Sequence, residues 1–424
     1  MNIFRKKCLK RKRGIVDIVD IPYSCYICSI QVKIISETNL NNFFRAAKRI
    51  RRKIGGKSTM KIKISRETML KALQKVGNIV NTRNTLPVLS NILFEAADGK
   101  LKLTGTDLEI RMETVVDAEI IEAGVTTLPA KKMLTLVSKF RGEFIEIESG
   151  DNFHSTIKCG TASIMLLGLN PSDYPKKDEV KFIRSFSMKQ ADMAVIIERI
   201  AYAASLEDSR KVLQGILFSV RDGKFTAVAT DGKRLALCEK VFEALPEGSE
   251  GDIIITQKAA NELKRLLEKE GEVAINIAEN QVVFEVGASV ITSKLIEGNY
   301  PNYRQVIPAS FKQTVTVSCE SVIYALELIC VTLAESGSPK VSLTFKSDSM
   351  LFETNSNIGE GRESVPIQYD GEEMSASFNS NFFLDPFKHI QVDNVFIKVN
   401  DVMSPIAIES GDGFLYVIMP MRNK

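Results

Sequence analysis

From residue 60 onward, apolar and polar positions alternate with two different periods. Met69, Leu70, Leu73 and Val76 recur at helical spacing just after the alternating stretch Ile62-Lys63-Ile64. Apolar residues spaced i, i+3/i+4, i+7 mark one face of an amphipathic helix, whereas strict alternation marks a strand. Leu101 and Leu103 alternate with Lys100 and Lys102, which predicts a half-buried strand. Asp98-Gly99 supplies the tight hairpin turn ahead of it, because such turns need residues that accept a positive φ. A second unit follows, with a helix over 130–138 and a strand over 144–148. Later in the chain a helix over 257–268 and a strand over 273–277 repeat that order.

Comparing the chain with itself explains the resemblance between these units. A shift of 124 residues lays Ile62 on Phe186, Met69 on Met193, Ile92-Leu93-Phe94 on Ile216-Leu217-Phe218, Asp98-Gly99-Lys100 on Asp222-Gly223-Lys224, and Thr106-Asp107 on Thr230-Asp231. Asp173-Tyr174-Pro175 and Asn299-Tyr300-Pro301 close the two copies. A third, fainter copy opens at Val315-Thr316-Val317, with Leu343, Asp348 and Leu351 on Leu217, Asp222 and Phe225; its offset from the second falls from 129 to 126 as a loop shortens. The fold class is therefore α+β with antiparallel pairing, one design written three times, each copy made of two similar halves. Residues 60–180, 181–308 and 309–424 are the expected domains.

Composition changes this picture mainly at the front. Residues 1–59 hold 15 Lys/Arg and 3 Asp/Glu, a charge of +12, while the remaining 41 basic and 49 acidic residues leave the body at −8. Clusters such as Lys10-Arg11-Lys12-Arg13 suit nucleic acid or an anionic surface. Residues 1–59 are expected to be an extension, disordered or not native, with translation normally starting at Met60; a basic arm touching DNA is the alternative. Seven scattered cysteines fit a reducing cytoplasm better than a disulfide framework. The longest uncharged stretches, 159–172 and 21–32, are 14 and 12 residues long, short of the roughly 20 that span a bilayer.

Candidate chemistry is sparse. Cys25-Tyr26-Ile27-Cys28 lacks a second ligand pair. Gly55-Gly56-Lys57-Ser58-Thr59 ends like a phosphate-binding loop, but Arg51 stands where the loop needs its first glycine. His154 and His389 each have one aspartate within a helical turn, Asp151 and Asp385, and no second His or Cys to complete a ligand set. No catalytic constellation, metal site or cofactor is expected. Asp107 and Asp231, at strand ends in two copies, read as turn caps.

Within the repeat, several segments stand out: Thr85-Leu86-Pro87-Val88-Leu89-Ser90-Asn91, Thr104-Gly105-Thr106-Asp107-Leu108-Glu109, Ala229-Thr230-Asp231-Gly232-Lys233-Arg234-Leu235, Tyr300-Pro301-Asn302-Tyr303 and Tyr416-Val417-Ile418-Met419-Pro420-Met421-Arg422. In order and spacing over 60–422 they closely resemble the bacterial DNA polymerase III beta subunit family, the sliding clamps. The resemblance implies three tandem DNA-clamp domains, antiparallel sheets outside and two helices per domain lining the inner face. It further implies a head-to-tail homodimer ring around double-stranded DNA, in the bacterial cytoplasm. The expected partners are the DNA polymerase III alpha subunit, the clamp loader delta subunit, and other clamp-binding polymerases and repair proteins, with no membrane role. By resemblance, Arg83 and Arg210 face DNA, with Lys131, Lys132 and Lys258 as helix-borne charges, and Leu333 belongs to the dimer interface. A groove for an apolar, glutamine-containing peptide maps to Leu213, Thr230, Gly232, Lys233, Arg234, Leu235, Pro301, Gln305, Val306, Val417, Ile418, Met419, Pro420, Met421 and Arg422. Gln305 departs from the family in standing where a basic residue is common, and Asn423-Lys424 extend past the usual end. The rival readings are a repeat-built protein-binding scaffold that does not encircle DNA, and an enzyme acting through Asp107 or Asp231.

Overall fold

The computed structural model describes residues 8–12, 15–19, 59–80, 86–150, 152–177, 180–207, 210–242, 248–333 and 339–421. Cys25, Cys28, the 55–58 glycine stretch, Arg83, Arg422, Asn423 and Lys424 lie outside the described residues. Ahead of the repeats, Cys8–Lys12 and Ile15–Val19 pair antiparallel.

Six α-helices occur among the described residues: α1 (Arg66–Gly77), α2 (Ala130–Lys139), α3 (Gln190–Ile200), α4 (Gln257–Leu266), α5 (Cys319–Ile329) and α6 (Ser380–His389). Four start where a short polar residue ends the preceding strand and accepts an otherwise orphaned amide hydrogen: Ser65 from Thr68, Thr256 from Ala259, Ser318 from Ser321 and Asn379 from Phe382. The helices pack as pairs, α1 on α2, α3 on α4 and α5 on α6. Met69, Leu73 and Val76 are the buried face of α1, as their spacing predicts. Among the described residues, no helix is long and apolar enough to cross a membrane.

Contacts divide the chain into two compact units, with boundaries at Lys189/Gln190, Lys269/Glu270 and Ser293/Lys294. In the first, a five-stranded sheet runs in the order Ala162–Leu167, His154–Cys159, Phe144–Ser149, Met60–Ser65, Glu119–Glu122. Its eight-stranded sheet runs Arg184–Lys189, Glu272–Ile277, Gln281–Val286, Ser289–Lys294, Ile110–Asp117, Lys100–Thr106, Asn91–Ala97, Gly124–Pro129. The second unit repeats the plan. Its eight strands run Gly251–Thr256, Gly215–Arg221, Lys224–Thr230, Arg234–Val241, Phe414–Ile418, Ile406–Glu409, Asn394–Val399, Gln313–Ser318, and its four-stranded sheet runs Gly359–Pro366, Ser349–Ser356, Lys340–Phe345, Met374–Asn379. Each large sheet thus joins strands of two consecutive copies, at Ile110–Asp117 with Ser289–Lys294 and at Arg234–Val241 with Phe414–Ile418.

The turns agree with the sequence. Asp98 and Gly99 have φ of 54° and 72°, and Asp222 and Gly223 have 51° and 73°, so both copies use the same two-residue hairpin with both central residues left-handed. One expectation fails: Lys102 is not on a solvated face but only 7% exposed. The segment after Tyr174 covers that face of the sheet, and the strand is buried on both sides. The lysine is tolerated because it is neutralised. Its ammonium lies 2.6 Å from Glu95 and 3.3 Å from Glu113, and Glu113 also meets Lys177 at 2.9 Å and Arg111 at 3.6 Å.

Candidate partner-binding site

The turn after Lys224–Thr230 is built by its own side chains. Thr230 Oγ1 donates to the Arg234 carbonyl at 2.5 Å and accepts the Gly232 amide at 3.1 Å, while Asp231 Oδ1 accepts the amides of Lys233 and Arg234 at 2.9 and 3.0 Å. Gly232 takes φ 86°, a conformation that favours glycine. The first copy repeats this net: Thr106 donates to Ile110, and Asp107 accepts the amides of Glu109 and Ile110. Leu108 fills the glycine position there at φ 79°. Both carboxylates therefore organise turns, which removes the geometric basis for an enzyme acting through them.

Beyond this turn, strand Arg234–Val241 pairs with the last strand, Phe414–Ile418, Leu235 opposite Val417 and Arg234 opposite Ile418. Pairing continues past the strand end: the Met419 amide donates to the Lys233 carbonyl at 3.0 Å, and the Met421 amide to Ser377 at 2.7 Å. The tail 419–421 is half-buried and held from both sides. Leu235 and Val417 share an apolar cluster with Leu217, Val228, Leu237, Ile254, Ala407 and Tyr303, flanked by Val212, Ile296 and Tyr300. Pro301, Gln305 and Val306 are exposed beside it, around the turn Tyr303–Val306. Of the mapped residues, Thr230, Gly232, Lys233, Leu235, Pro301, Gln305, Val306, Val417, Met419, Pro420 and Met421 lie around this one sheet junction. Val417 is 1% exposed and belongs to the buried apolar cluster, whereas Ile418, 0% exposed and paired opposite Arg234, points to the other face of the sheet; Leu213 is also buried, at 5%. Val212 and Tyr303 are participants that sequence mapping missed, although Tyr303 sat inside a quoted motif.

Arg234 turns to the other side of the sheet, where only 9% of its side chain is exposed. Around it lie Asp231, Asp385, the carbonyl of Tyr202 and the ring of Phe382. His389 stacks on Tyr202 with centroids 4.5 Å apart and donates from Nδ1 to Glu198 at 2.6 Å; Lys264 also contacts that carboxylate. Burial pushes the His389 pKa below the ordinary imidazole value, against the opposing pull of Asp385. Burial pushes the phenols of Tyr202 and Tyr416 up.

Of the residues mapped to DNA, Lys131 and Lys132 are exposed in the first turn of α2, and Lys258 is exposed in the first turn of α4. The Arg210 guanidinium lies against the turn, since a Cβ on Gly232 would stand 2.8 Å from its Nη1. Leu333 is 6% exposed within its own copy; the apolar surface near it belongs to Tyr324, Leu328 and Val331, at 64%, 47% and 69%. Their i, i+4, i+7 spacing was the available signal. A second exposed apolar row, Ile164, Met165 and Leu167, lies on the sheet-edge strand Ala162–Leu167.

Three family models match the chain in sequence: DNA polymerase III beta subunit, N-terminal domain over 60–178, central domain over 187–302 and C-terminal domain over 304–422. The beta sliding clamp of Proteus mirabilis is 33% identical over 372 residues, 86% of this chain and 100% of that one. That of Chlamydia muridarum is 31% identical over 364 residues, 86% and 99%. In structure, the C. crescentus beta sliding clamp superposes with a TM-score of 0.81 at 31% identity over 87% of this chain and 100% of that one. The repeated architecture, the turn nets and these matches agree: the chain belongs to the DNA polymerase III beta subunit family, the sliding clamps, which are processivity factors of the polymerase and not its catalytic subunit.

Proposed function

We propose that the chain acts in the bacterial cytoplasm as a head-to-tail homodimer closed around double-stranded DNA, its three clamp domains being 60–180, 181–308 and 309–424. In such a ring the first domain of one subunit meets the third of the other, a heterologous contact that closes after two copies. Two apolar surfaces support this reading: the edge strand with Ile164, Met165 and Leu167, and the surface formed by Tyr324 and Leu328 of α5 and Val331 of the turn after it, beside Leu333. Exposed apolar rows on an edge strand are otherwise a liability. A body of net charge −8 gains little from phosphate neutralisation. Encirclement asks only for a few inward cations, the role assigned to Arg83, Arg210, Lys131, Lys132 and Lys258, whose phosphate contacts carry no sequence information and so permit sliding.

The peptide groove is the junction over the Leu235, Val417 and Tyr303 cluster, rimmed by Thr230, Gly232, Lys233, Pro301, Gln305, Val306 and the tail from Met419 to Met421, with Arg422 assigned to it by resemblance alone. It would receive the polymerase alpha subunit, the clamp loader delta subunit, and other polymerases and repair proteins. The observation that carries it is the pinned tail: Met419 and Met421 are fixed in place by backbone bonds to Lys233 and Ser377 yet remain half-exposed, and methionine suits a surface that accepts varied ligands. The expected behaviour is a dimer of twice 47.1 kDa that stays on nicked circular DNA and slides off once the DNA is cut. Deleting 419–424 should abolish polymerase stimulation and leave the dimer intact. A monomer indifferent to DNA topology refutes the ring, and unchanged stimulation refutes the groove.

A further inference from the structure

Arg234 sits in the middle of the mapped groove sequence, but successive strand residues point to opposite faces. Leu235 takes the groove face with Val417, which sends Arg234 to the helical face. There its guanidinium is enclosed. Nε meets Asp231 Oδ2 at 3.1 Å, Nη1 meets Asp385 Oδ2, and Nη2 donates to the Tyr202 carbonyl at 2.7 Å. One flat side lies 4.2 Å from the centroid of the Phe382 ring, with Tyr202 at 5.6 Å. Phe382 is itself fixed, because the Tyr416 hydroxyl donates to its carbonyl at 2.7 Å. A guanidinium offers its donors in one plane; with all three nitrogens engaged and both rings packed on it, none of its nitrogens is turned to a peptide on the opposite face.

We propose that Arg234 is a positioning residue for the groove and contacts no ligand, and that Asp385 on α6 is its required counter-charge. The chain of contact is short. Asp385 fixes the Arg234 side chain, whose backbone starts the strand. The preceding residue, Lys233, offers the carbonyl that receives the Met419 amide. The Arg234–Asp385 pair thus ties the turn 230–234 to the C-terminal domain at the point where the tail leaves the sheet, and sets the spacing between the turn rim and the Met419–Met421 rim. Asp385 itself lies on the helical face, so its effect on binding passes through Arg234. This assignment rests on the peptide-groove reading above.

The test uses the full-length dimer and a fluorescein-labelled short peptide carrying one glutamine and several leucines, read by anisotropy, with hydrogen exchange measured on the same proteins. Asp385→Asn keeps the shape and removes the charge; it should weaken peptide binding about tenfold, about 1.4 kcal/mol, mainly through faster dissociation, and Asp385→Glu should recover most of the loss. Exchange should quicken at the Arg234 and Met419 amides in Asp385→Asn and stay unchanged in α1 and α2, which a general loss of stability would not produce. Binding within twofold of wild type in Asp385→Asn, or a loss that Asp385→Glu does not relieve, overturns the proposal. If the wild-type protein itself ignores the peptide, the groove reading fails; exchange then decides the latch alone, with unchanged Arg234 and Met419 amides overturning it.

Discussion

Glu113→Gln removes one charge from the centre of the buried network in the first large sheet while keeping the side chain's shape. The Glu113 side chain is 4% exposed and stands 2.9 Å from Lys177, 3.3 Å from Lys102 and 3.6 Å from Arg111. After the substitution Lys102, Lys177 and Arg111 face Glu95 and, beside Lys177, Glu285, whose own charge burial disfavours. Breaking a buried ion pair from one side costs about 3–5 kcal/mol, because the partner charges stay desolvated without compensation. In a three-domain chain a single global unfolding free energy is poorly defined, so the local measure is amide exchange in the strand Lys100–Thr106. A loss of 3 kcal/mol corresponds to a rate increase of more than about a hundredfold. The pH dependence follows from linkage. Burial pushes the Glu113 carboxyl up, but Lys102, Lys177 and Arg111 together hold it well below the ordinary carboxylate range. A depressed folded pKa contributes stability that is fully present above the unfolded value of about 4.3 and is lost as pH falls toward the folded one. The gap between wild type and variant should therefore be full at pH 7 and narrow progressively as pH falls below about 4, after correction for intrinsic exchange. Adding Lys177→Gln should recover part of the loss by removing one stranded cation. Exchange within threefold of wild type at pH 7, or a gap that persists undiminished at low pH, refutes the reasoning.

The neighbouring Glu285 should behave oppositely. Burial raises its pKa to about 7 against the pull of the Asn276 hydrogen bond and Lys177, so it costs stability as pH rises from about 4 through 7. Glu285→Gln should slow exchange in the strand Gln281–Val286 at pH 8, by roughly 1–3 kcal/mol, and leave it unchanged at pH 4; slower exchange at both would contradict the assignment. Gly413 takes φ 89°, and a Cβ there would collide with the Glu239 carbonyl, whose own amide donates back to Gly413 at 2.8 Å. Gly413→Ala should therefore cost about 1–3 kcal/mol and loosen the Arg234–Val241 to Phe414–Ile418 pairing, visible as faster exchange at the Glu239 amide; an unaltered amide would show that the turn adapts.

The sequence by itself determined whatever depends on neighbours in the chain. Helix starts at Ser65, Thr256 and Ser318 and the turn role of Asp107 and Asp231 follow from side chains meeting backbone groups two to four residues away, and the hairpins at Asp98-Gly99 and Asp222-Gly223 from residues that accept a positive φ. The repeat was equally legible, since one packing solution reused imposes the same periodicities again. Tertiary structure decided what covers each face. Period-two alternation places Lys102 and Leu103 on opposite sides of a strand but cannot say that the segment after Tyr174 buries the lysine side, so Lys102 reads as solvated when it is a buried ion-pair member. In the same way, Arg234 and Leu235 are adjacent in a motif that matches as a unit. Strand alternation puts their side chains on opposite faces, but that the Arg234 side is closed by Asp385 and Phe382 depends on α6, some 150 residues later. Val417 and Ile418 map to the groove by resemblance; paired to Arg234–Val241, they are 1% and 0% exposed. Local chemistry fixes turns and periods because its partners are close in sequence, whereas burial and the direction in which a charge is satisfied depend on segments that only folding brings near.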